Sequence, residues 1–345
     1  MVTGDHVADD RALAEVAARA AGRVGGRYQG LAVGVLSAGR AATVGVGQVA
    51  AGGRLIDGET SFQIGSVTKV ITALLLADAV VRGEVALDQR LDTLIPLAAN
   101  HRDGPAITLG DLAMHTSGLP RLPPGLWRQS LRTRHDPYAG FTTDDLTQAL
   151  KTPPKRPAGR TVRYSNYGAG ALGEALSRAL ELPYHQLVAD RITGPLGMGR
   201  TGVDRPSDGD NIAEGHSRRR RAVNDWHLPA LAGAGALRST ATDMLALLGA
   251  HLEPAASPLA TAIELCVAPR RQVRGALRIG LGWHVLDRRR QAPMWWHNGG
   301  TGGFFSFVGF VPDSEVAVVV LTNTARSVDR LGMQLLTDIE DATEP

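Results

Sequence analysis

Ser66-Val67-Thr68-Lys69-Val70-Ile71-Thr72-Ala73-Leu74-Leu75-Leu76 places a serine and a lysine three residues apart at the head of an apolar run. The spacing predicts a helix over 66–82, on which Ser66 and Lys69 share a face and lie close enough to exchange a proton. Such pairs also occur on solvated helix surfaces. Two features favour a buried one here. Of 37 basic residues only Lys69, Lys151 and Lys155 are lysines, and Phe62, Ile64, Val70, Ile71, Leu74, Leu75 and Leu76 surround the pair. A lysine in an apolar interior needs a chemical reason. A serine hydroxyl is a weak nucleophile at its own pKa, and a desolvated lysine, neutral or nearly so at neutral pH, can activate it.

Two further clusters fit the same chemistry. Tyr164-Ser165-Asn166 lies between the turn residues Pro157-Ala158-Gly159 and a helical pattern over 168–180, so a turn there projects side chains into a cleft. A tyrosine facing Lys69 would have its phenolate stabilised by the ammonium and act as general base for Ser66, then for water. Asn166 would bind a substrate carbonyl or hold Lys69; an ordinary turn with a packed tyrosine and a capping asparagine is the alternative. The third cluster is Trp295-Trp296-His297-Asn298-Gly299-Gly300-Thr301-Gly302-Gly303-Phe304, with four glycines in five positions. Such glycines bring a backbone close to something. The N–H groups of Ser66 and Gly300 are candidates to converge on a carbonyl oxygen, a bulged strand or tight hairpin being the plainer explanation.

Taken in order, these clusters resemble the serine β-lactamase and penicillin-binding-protein superfamily, in the branch that holds class C β-lactamases, family VIII esterases, D-aminopeptidases and related acyltransferases. Leu112-Ala113-Met114-His115-Thr116-Ser117-Gly118-Leu119-Pro120 looks like that branch's HTSGLP signature, Gly280-Leu281-Gly282-Trp283 like its GLGW strand, and Ser239-Thr240-Ala241-Thr242-Asp243 falls where the family begins a helix. The resemblance covers most of the chain. It implies Ser66 as nucleophile, Lys69 and Tyr164 as the base pair, Asn166 as a substrate-side ligand, and His297, Asn298, Gly299 and Gly300 as the third motif and oxyanion segment. At that motif the chain departs from the β-lactamase pattern, reading His297-Asn298-Gly299 for Lys-Thr-Gly. A permanent cation facing a carboxylate becomes a largely neutral imidazole. In the resembling family this histidine is common among esterases, amidases and transacylases. The expected activity is therefore hydrolysis of a small ester or amide through an acyl-Ser66 intermediate. Transfer of the acyl group to an amine or alcohol in natural-product biosynthesis is the second reading; weak β-lactamase activity and a catalytically silent binding protein are the others.

The composition suits a large core: 345 residues, 43% hydrophobic, net charge +3. Arginine runs at 218–221, 270–271 and 288–290 lack interleaved aromatics and are expected on solvated loops, so no nucleic-acid partner is expected. Gly168-Ala169-Gly170-Ala171-Leu172-Gly173 mimics a dinucleotide fingerprint but follows no apolar strand. No Gly-x-Ser-x-Gly elbow and no His-x-x-x-His pair occurs, so an α/β-hydrolase, a metal and a cofactor are not expected. The single Cys266 reads as a buried small hydrophobe. The N-terminal segment has no secretory pattern, and no run reaches the roughly 20 apolar residues a bilayer requires, which predicts no membrane partner and a cytoplasmic place. Oligomeric state is left open.

Strand patterns at 31–36, 42–49, 277–286, 304–310 and 316–322 predict one antiparallel sheet, with helices at 13–24 and 328–339 covering it. The fold class expected is α+β: a central antiparallel sheet flanked by helices, plus an inserted all-helical lobe, in a single catalytic domain. The sheet lobe would come from roughly 1–90 and 225–345 and the helical lobe from roughly 91–224, with Ser66 in the cleft between them. Loops at 121–141 and 204–229 would set specificity, and Trp127, Tyr138, Trp226, Trp295 and Trp296 are candidates for an aromatic acyl pocket or for core packing.

Overall fold

The computed structural model describes residues 5–97, 106–126, 133, 135–205, 209, 211–268 and 271–343, with side chains from 11 to 342. Trp127 and Arg270 lie outside the described residues. The N-terminal helix α1 (Asp5–Val24) leads into strands β1 (Gly30–Ser37) and β2 (Arg40–Gly47); β3 (Phe62–Gln63) then precedes a 3-10 turn at Gly65–Val67 and helix α2 (Thr68–Val81). Helices α3 (Leu109–Ala113), α4 (Thr143–Leu150), α5 (Asn166–Ala179) and α6 (Tyr184–Val188) fill the middle. After them come β4 (Gly215–His216), β5 (Ala222–Val223), α7 (Ala232–Gly235), β6 (Arg238–Ser239), α8 (Ala241–Leu252) and α9 (Ala260–Val267). The chain ends with β7 (Arg271–Arg274), β8 (Leu277–Ile279), β9 (His284–Leu286), β10 (Met294–Gly300), β11 (Phe305–Val311), β12 (Val316–Thr322) and the C-terminal helix α10 (Asp329–Thr343).

Eight strands form one antiparallel sheet in the order β2-β1-β12-β11-β10-β9-β8-β7. The expected α+β class is the one observed, with strands from both ends of the chain joined where β1 pairs with β12 (Val33 opposite Val320). Strand side chains alternate between faces. Leu31, Val33 and Val35 of β1 and Val316, Val318 and Val320 of β12 pack with Leu335, Leu336 and Ile339 of α10 and Leu13, Ala17 and Ala21 of α1. Ala317, Val319 and Leu321 face the other way, toward Leu245 and Leu248 of α8 and the large core around α2. Helix α8 begins where Ser239–Asp243 predicted: Thr240 Oγ1 accepts from Asp243 N at 3.0 Å, satisfying a donor the helix leaves open.

The predicted strand over 277–286 is two, β8 and β9, because Gly282 takes φ 74° and drives the chain onto α2. A Cβ at Gly282 would stand 2.8 Å from Ala73 Cβ and 2.9 Å from Lys69 O, so no larger residue fits and GLGW is a packing motif. Among the described residues no helix is long and apolar enough to cross a membrane. Within the arginine runs, Arg220 donates to Gly26 O, and Arg288 forms a double hydrogen bond to Glu340 at 2.6 and 2.9 Å.

The Arg288–Glu340 pair, with side chains only 9% and 6% exposed, ties α10 to the segment before β10, and Ser314 Oγ also donates to Glu340. Removing one partner of a buried pair strands the other charge and typically costs about 3–5 kcal/mol, whereas exposed pairs are worth about 0–1 kcal/mol. Glu340→Ala should therefore lose about 3 kcal/mol or more in denaturant unfolding. Arg11→Ala, which breaks the exposed Arg11–Glu15 pair, should stay within about 0.5 kcal/mol; equal effects would show that α10 is not held by this pair.

Candidate active site

Ser66 sits in the 3-10 turn that opens α2, so its hydroxyl stands at the helix head while Gly65 and Val67 beside it are buried. Lys69, one turn on, is 3% exposed on a helix buried on every side from Thr68 to Ala79. Its Nζ lies 3.0 Å from Ser66 Oγ and donates to Ala234 O at 2.6 Å. Burial, with Arg121 a lesser cause, holds the Lys69 amine well below its usual range. A neutral amine has a lone pair to receive the Ser66 proton.

Tyr164 is delivered by the HTSGLP segment. His115 holds a left-handed backbone (φ 57°), unusual for a residue with a side chain. Its carbonyl accepts from Arg163 N at 2.7 Å and its Nδ1 from Ser165 N at 3.3 Å. Ser165 Oγ donates to Pro120 O at 2.7 Å and accepts from Gly168 N at 2.8 Å, capping α5. Both sides of the turn are thus clamped, and the Tyr164 ring lies 4.6 Å from His115 with Lys69 Nζ 4.9 Å from its centroid. Its hydroxyl hydrogen-bonds Ser66, but burial dominates and pushes the phenol up to about 12. Desolvation moves both groups toward neutrality: it favours the uncharged amine at Lys69 and, at Tyr164, the phenol over the phenolate expected from sequence.

Asn166 does not hold Lys69, whose partners are Ser66 and Ala234. Its side chain hydrogen-bonds the Tyr138 hydroxyl, while Oδ1 is buried without a partner. Tyr138 packs 5.4 Å from Trp226, and Trp226 abuts Gly302, so these two aromatics border the site. Trp295 does not: its Nε1 donates to Val267 O and its ring stacks on Phe310, whereas Trp296 stacks on Phe307 and lies 4.9 Å from the His284 ring.

On β10 alternation divides the third motif. His297 and Gly299 face the Ser66 turn; Asn298 faces away, its Nδ2 donating to Asp329 Oδ2 at 2.9 Å, so Asn298 does not join the site. A Cβ at Gly299 would stand 2.0 Å from Ile64 O and 2.9 Å from Ser66 N, and one at Gly65 (φ 50°) would stand 2.7 Å from Gly300 N. Only glycines allow this approach. The bond Thr301 N to Phe304 O closes the β10–β11 hairpin, which makes Gly300–Phe305 a wide pair. The Gly300 N–H therefore points away from β11, toward the Ser66 turn, where it and Ser66 N can meet an oxyanion.

His297 is 1% exposed, with Nδ1 2.7 Å from Asn298 O and Nε2 buried without a partner. A carbonyl only accepts, so Nδ1 carries the proton and Nε2 presents a lone pair. Burial, then His284 and Lys69, hold this imidazole well below its usual range. Three groups escaped sequence reasoning. His115 was visible only as part of a motif; His284, whose ring stacks 5.2 Å from His297 and is pushed down to about 4 by burial and Lys69, was marked only by following GLGW; the Ala234 carbonyl carries no side-chain signal. Among the described residues no group of three or more His, Cys, Asp or Glu could hold a metal.

The Beta-lactamase family model matches residues 12–338, so the chain belongs to that family and with it to the serine hydrolases. Among curated relatives it is 30% identical to the D-alanyl-D-alanine-carboxypeptidase/endopeptidase AmpH of Escherichia coli K12, covering 76% of this chain and 71% of AmpH. It is 29% identical to a beta-lactamase of the same organism (77% and 76% covered) and 28% identical to penicillin-binding protein 4 of Amycolatopsis lactamdurans (77% and 72%). The crystal structure of a beta-lactamase from Sulfitobacter sp. EE-36 superposes with a TM-score of 0.83 at 25% identity over 97% of this chain and 99% of that one.

Gly299→Ala should push β10 off the Ser66 turn. Losing one oxyanion donor typically lowers the rate by about 100- to 1,000-fold, so kcat of the variant, measured below a thermal midpoint that the main-chain clash also lowers, should fall by at least about 100-fold. Unchanged kcat would show that β10 and Ser66 do not share an oxyanion site.

Proposed function

We propose that the protein hydrolyses a small ester or amide through an acyl-Ser66 intermediate. The observation that carries this reading is the 3.0 Å approach of Ser66 Oγ to a desolvated Lys69 Nζ. Ser66 Oγ attacks the carbonyl carbon, its proton passes to the neutral Lys69 amine, and the N–H groups of Ser66 and Gly300 hold the oxyanion. Tyr164, hydrogen-bonded to Ser66, gives its proton to the leaving oxygen or nitrogen as the carbonyl re-forms, and the Lys69 ammonium restores it. In the second half water attacks the acyl carbon, its proton passes to Lys69, and Ser66 leaves with a proton returned by the same route. The buried lone pair of His297 Nε2 offers no donor to a carboxylate, which supports an ester or amide over a penicillin as substrate.

Intact-mass measurement with 4-nitrophenyl butyrate tests the reading. Wild type should show a butyryl adduct or turnover that vanishes in Ser66→Ala; adduct and turnover surviving in that variant would remove Ser66 from the nucleophile's place. Added amine that speeds nitrophenol release and yields butyramide would replace hydrolysis by transacylation, and nitrocefin turnover at a comparable rate would replace both by β-lactam hydrolysis.

The pH profile separates the two proton carriers. With Lys69 held below its usual range and Tyr164 up at about 12, kcat/KM should fall on the acid side as Lys69 becomes protonated and stay level through pH ~10. Tyr164→Phe should be slower but keep its acid limb at the same pH. Loss or displacement of that limb would make the tyrosine, rather than the lysine, the base.

A further inference from the structure

Arg121 follows the HTSGLP segment directly, and its main-chain oxygen accepts from Asn166 N at 3.0 Å and Tyr167 N at 3.3 Å. The residue is therefore pinned to the turn that delivers Tyr164. Its exposed guanidinium stands 5.2 Å from the centre of the Tyr164 ring and has no ion-pair partner among the described residues. Arg205 and Arg238, by contrast, share Asp225. Arg121 acts electrostatically on Lys69, Tyr138 and Tyr164, yet no carboxylate is among the groups acting on Lys69, His115, Tyr138, Tyr164, His284 or His297. Among the described residues, therefore, no carboxylate balances this fixed positive charge. On the opposite wall, the motif position of β10 offers a neutral imidazole whose single proton is spent on Asn298 O.

We propose that Arg121 is a specificity-determining residue that binds a carboxylate carried by the substrate, so that the anion is recognised beside Tyr164 instead of on β10. An exposed, unpaired guanidinium has a planar fork of donors that suits a carboxylate, and its charge raises the local concentration of anionic substrate at low ionic strength. The tyrosine face beneath it keeps the cation in place. The preferred substrate is then a half-ester or half-amide of a dicarboxylic acid, or an ester whose leaving group carries the acid. This inference rests on the hydrolase reading above.

The test compares Arg121→Gln and Arg121→Lys with wild type on two matched pairs: 4-nitrophenyl hemiglutarate against 4-nitrophenyl valerate, and 4-carboxyphenyl butyrate against phenyl butyrate. These variants keep the main-chain oxygen that α5 uses. For at least one pair, Arg121→Gln should lower kcat/KM for the charged ester about tenfold more than for its neutral counterpart, chiefly through KM, with Arg121→Lys intermediate and the difference shrinking in high salt. An equal loss within both pairs would overturn the proposal and leave Arg121 a group that only tunes Tyr164, as would no loss at all. A second arm does not depend on turnover: calorimetry of glutaric monoamide binding to Ser66→Ala and to Ser66→Ala/Arg121→Gln. Weaker binding to the double variant supports the carboxylate site even if Ser66 proves not to be the nucleophile; equal binding, with equal losses in the ester pairs, sinks it.

Discussion

Everything at this site depends on one lysine being kept from water. An ammonium moved into an apolar interior without a counter-ion loses several kcal/mol of hydration, and Lys69 meets a serine hydroxyl and a carbonyl rather than a carboxylate. The inexpensive solution is to release the proton, so the scaffold need not supply a base of special chemistry. It needs only to bury an ordinary amine beside Ser66. That explains the all-round burial of α2 from Thr68 to Ala79, and it explains why the glycines cluster against this one turn. Gly282 lets the β8–β9 corner close over Lys69, while Gly65 and Gly299 let β10 reach the backbone of Ser66.

The same desolvation sets the state of the neighbours. Burial is the first cause of the shift at Lys69, Tyr164, His115, His284 and His297 alike, so the inner site is a set of neutral donors and acceptors. In the mechanism proposed above, electrostatic work in such a place falls to oriented groups: the backbone N–H groups of Ser66 and Gly300, and the phenol of Tyr164. Low surrounding polarity makes each of them count for more than in water. A charge appears there only as the reaction proceeds, on Lys69 and on the substrate oxygen together, and the two signs attract.

Much of this was legible in the sequence because the chemistry is local. A serine and lysine three apart in an apolar run define their own geometry on a helix, and four glycines in five residues announce a close backbone approach. The strands at 31–36 and 316–322 showed in their valine-rich pattern. What stayed hidden depends on three dimensions. The break at Gly282 is imposed by α2, more than 200 residues earlier in the chain. The protonation state of Tyr164 turns on how deeply it is buried, which spacing does not encode. Asn298 looked like part of a contiguous motif, but β10 is an extended strand, and a period of two sends every second side chain to the far face.

That last point bears on how the site changes its chemistry. Because Asn298 is bonded to Asp329 at the start of α10, it fixes β10 to the outer layer of the fold, while His297 and Gly299 face the nucleophile. The strand is thus held from behind, and the residue at 297 can vary without moving the oxyanion donor at Gly300. A histidine there trades a donor for an acceptor, because its one proton is committed to the Asn298 carbonyl within the same strand. Among the described residues a fixed cation lies instead beside Tyr164, on the loop that carries Arg121. On the proposed reading, the charge that selects substrate and the strand that holds the oxyanion are separate, so that one can be altered without disturbing the other.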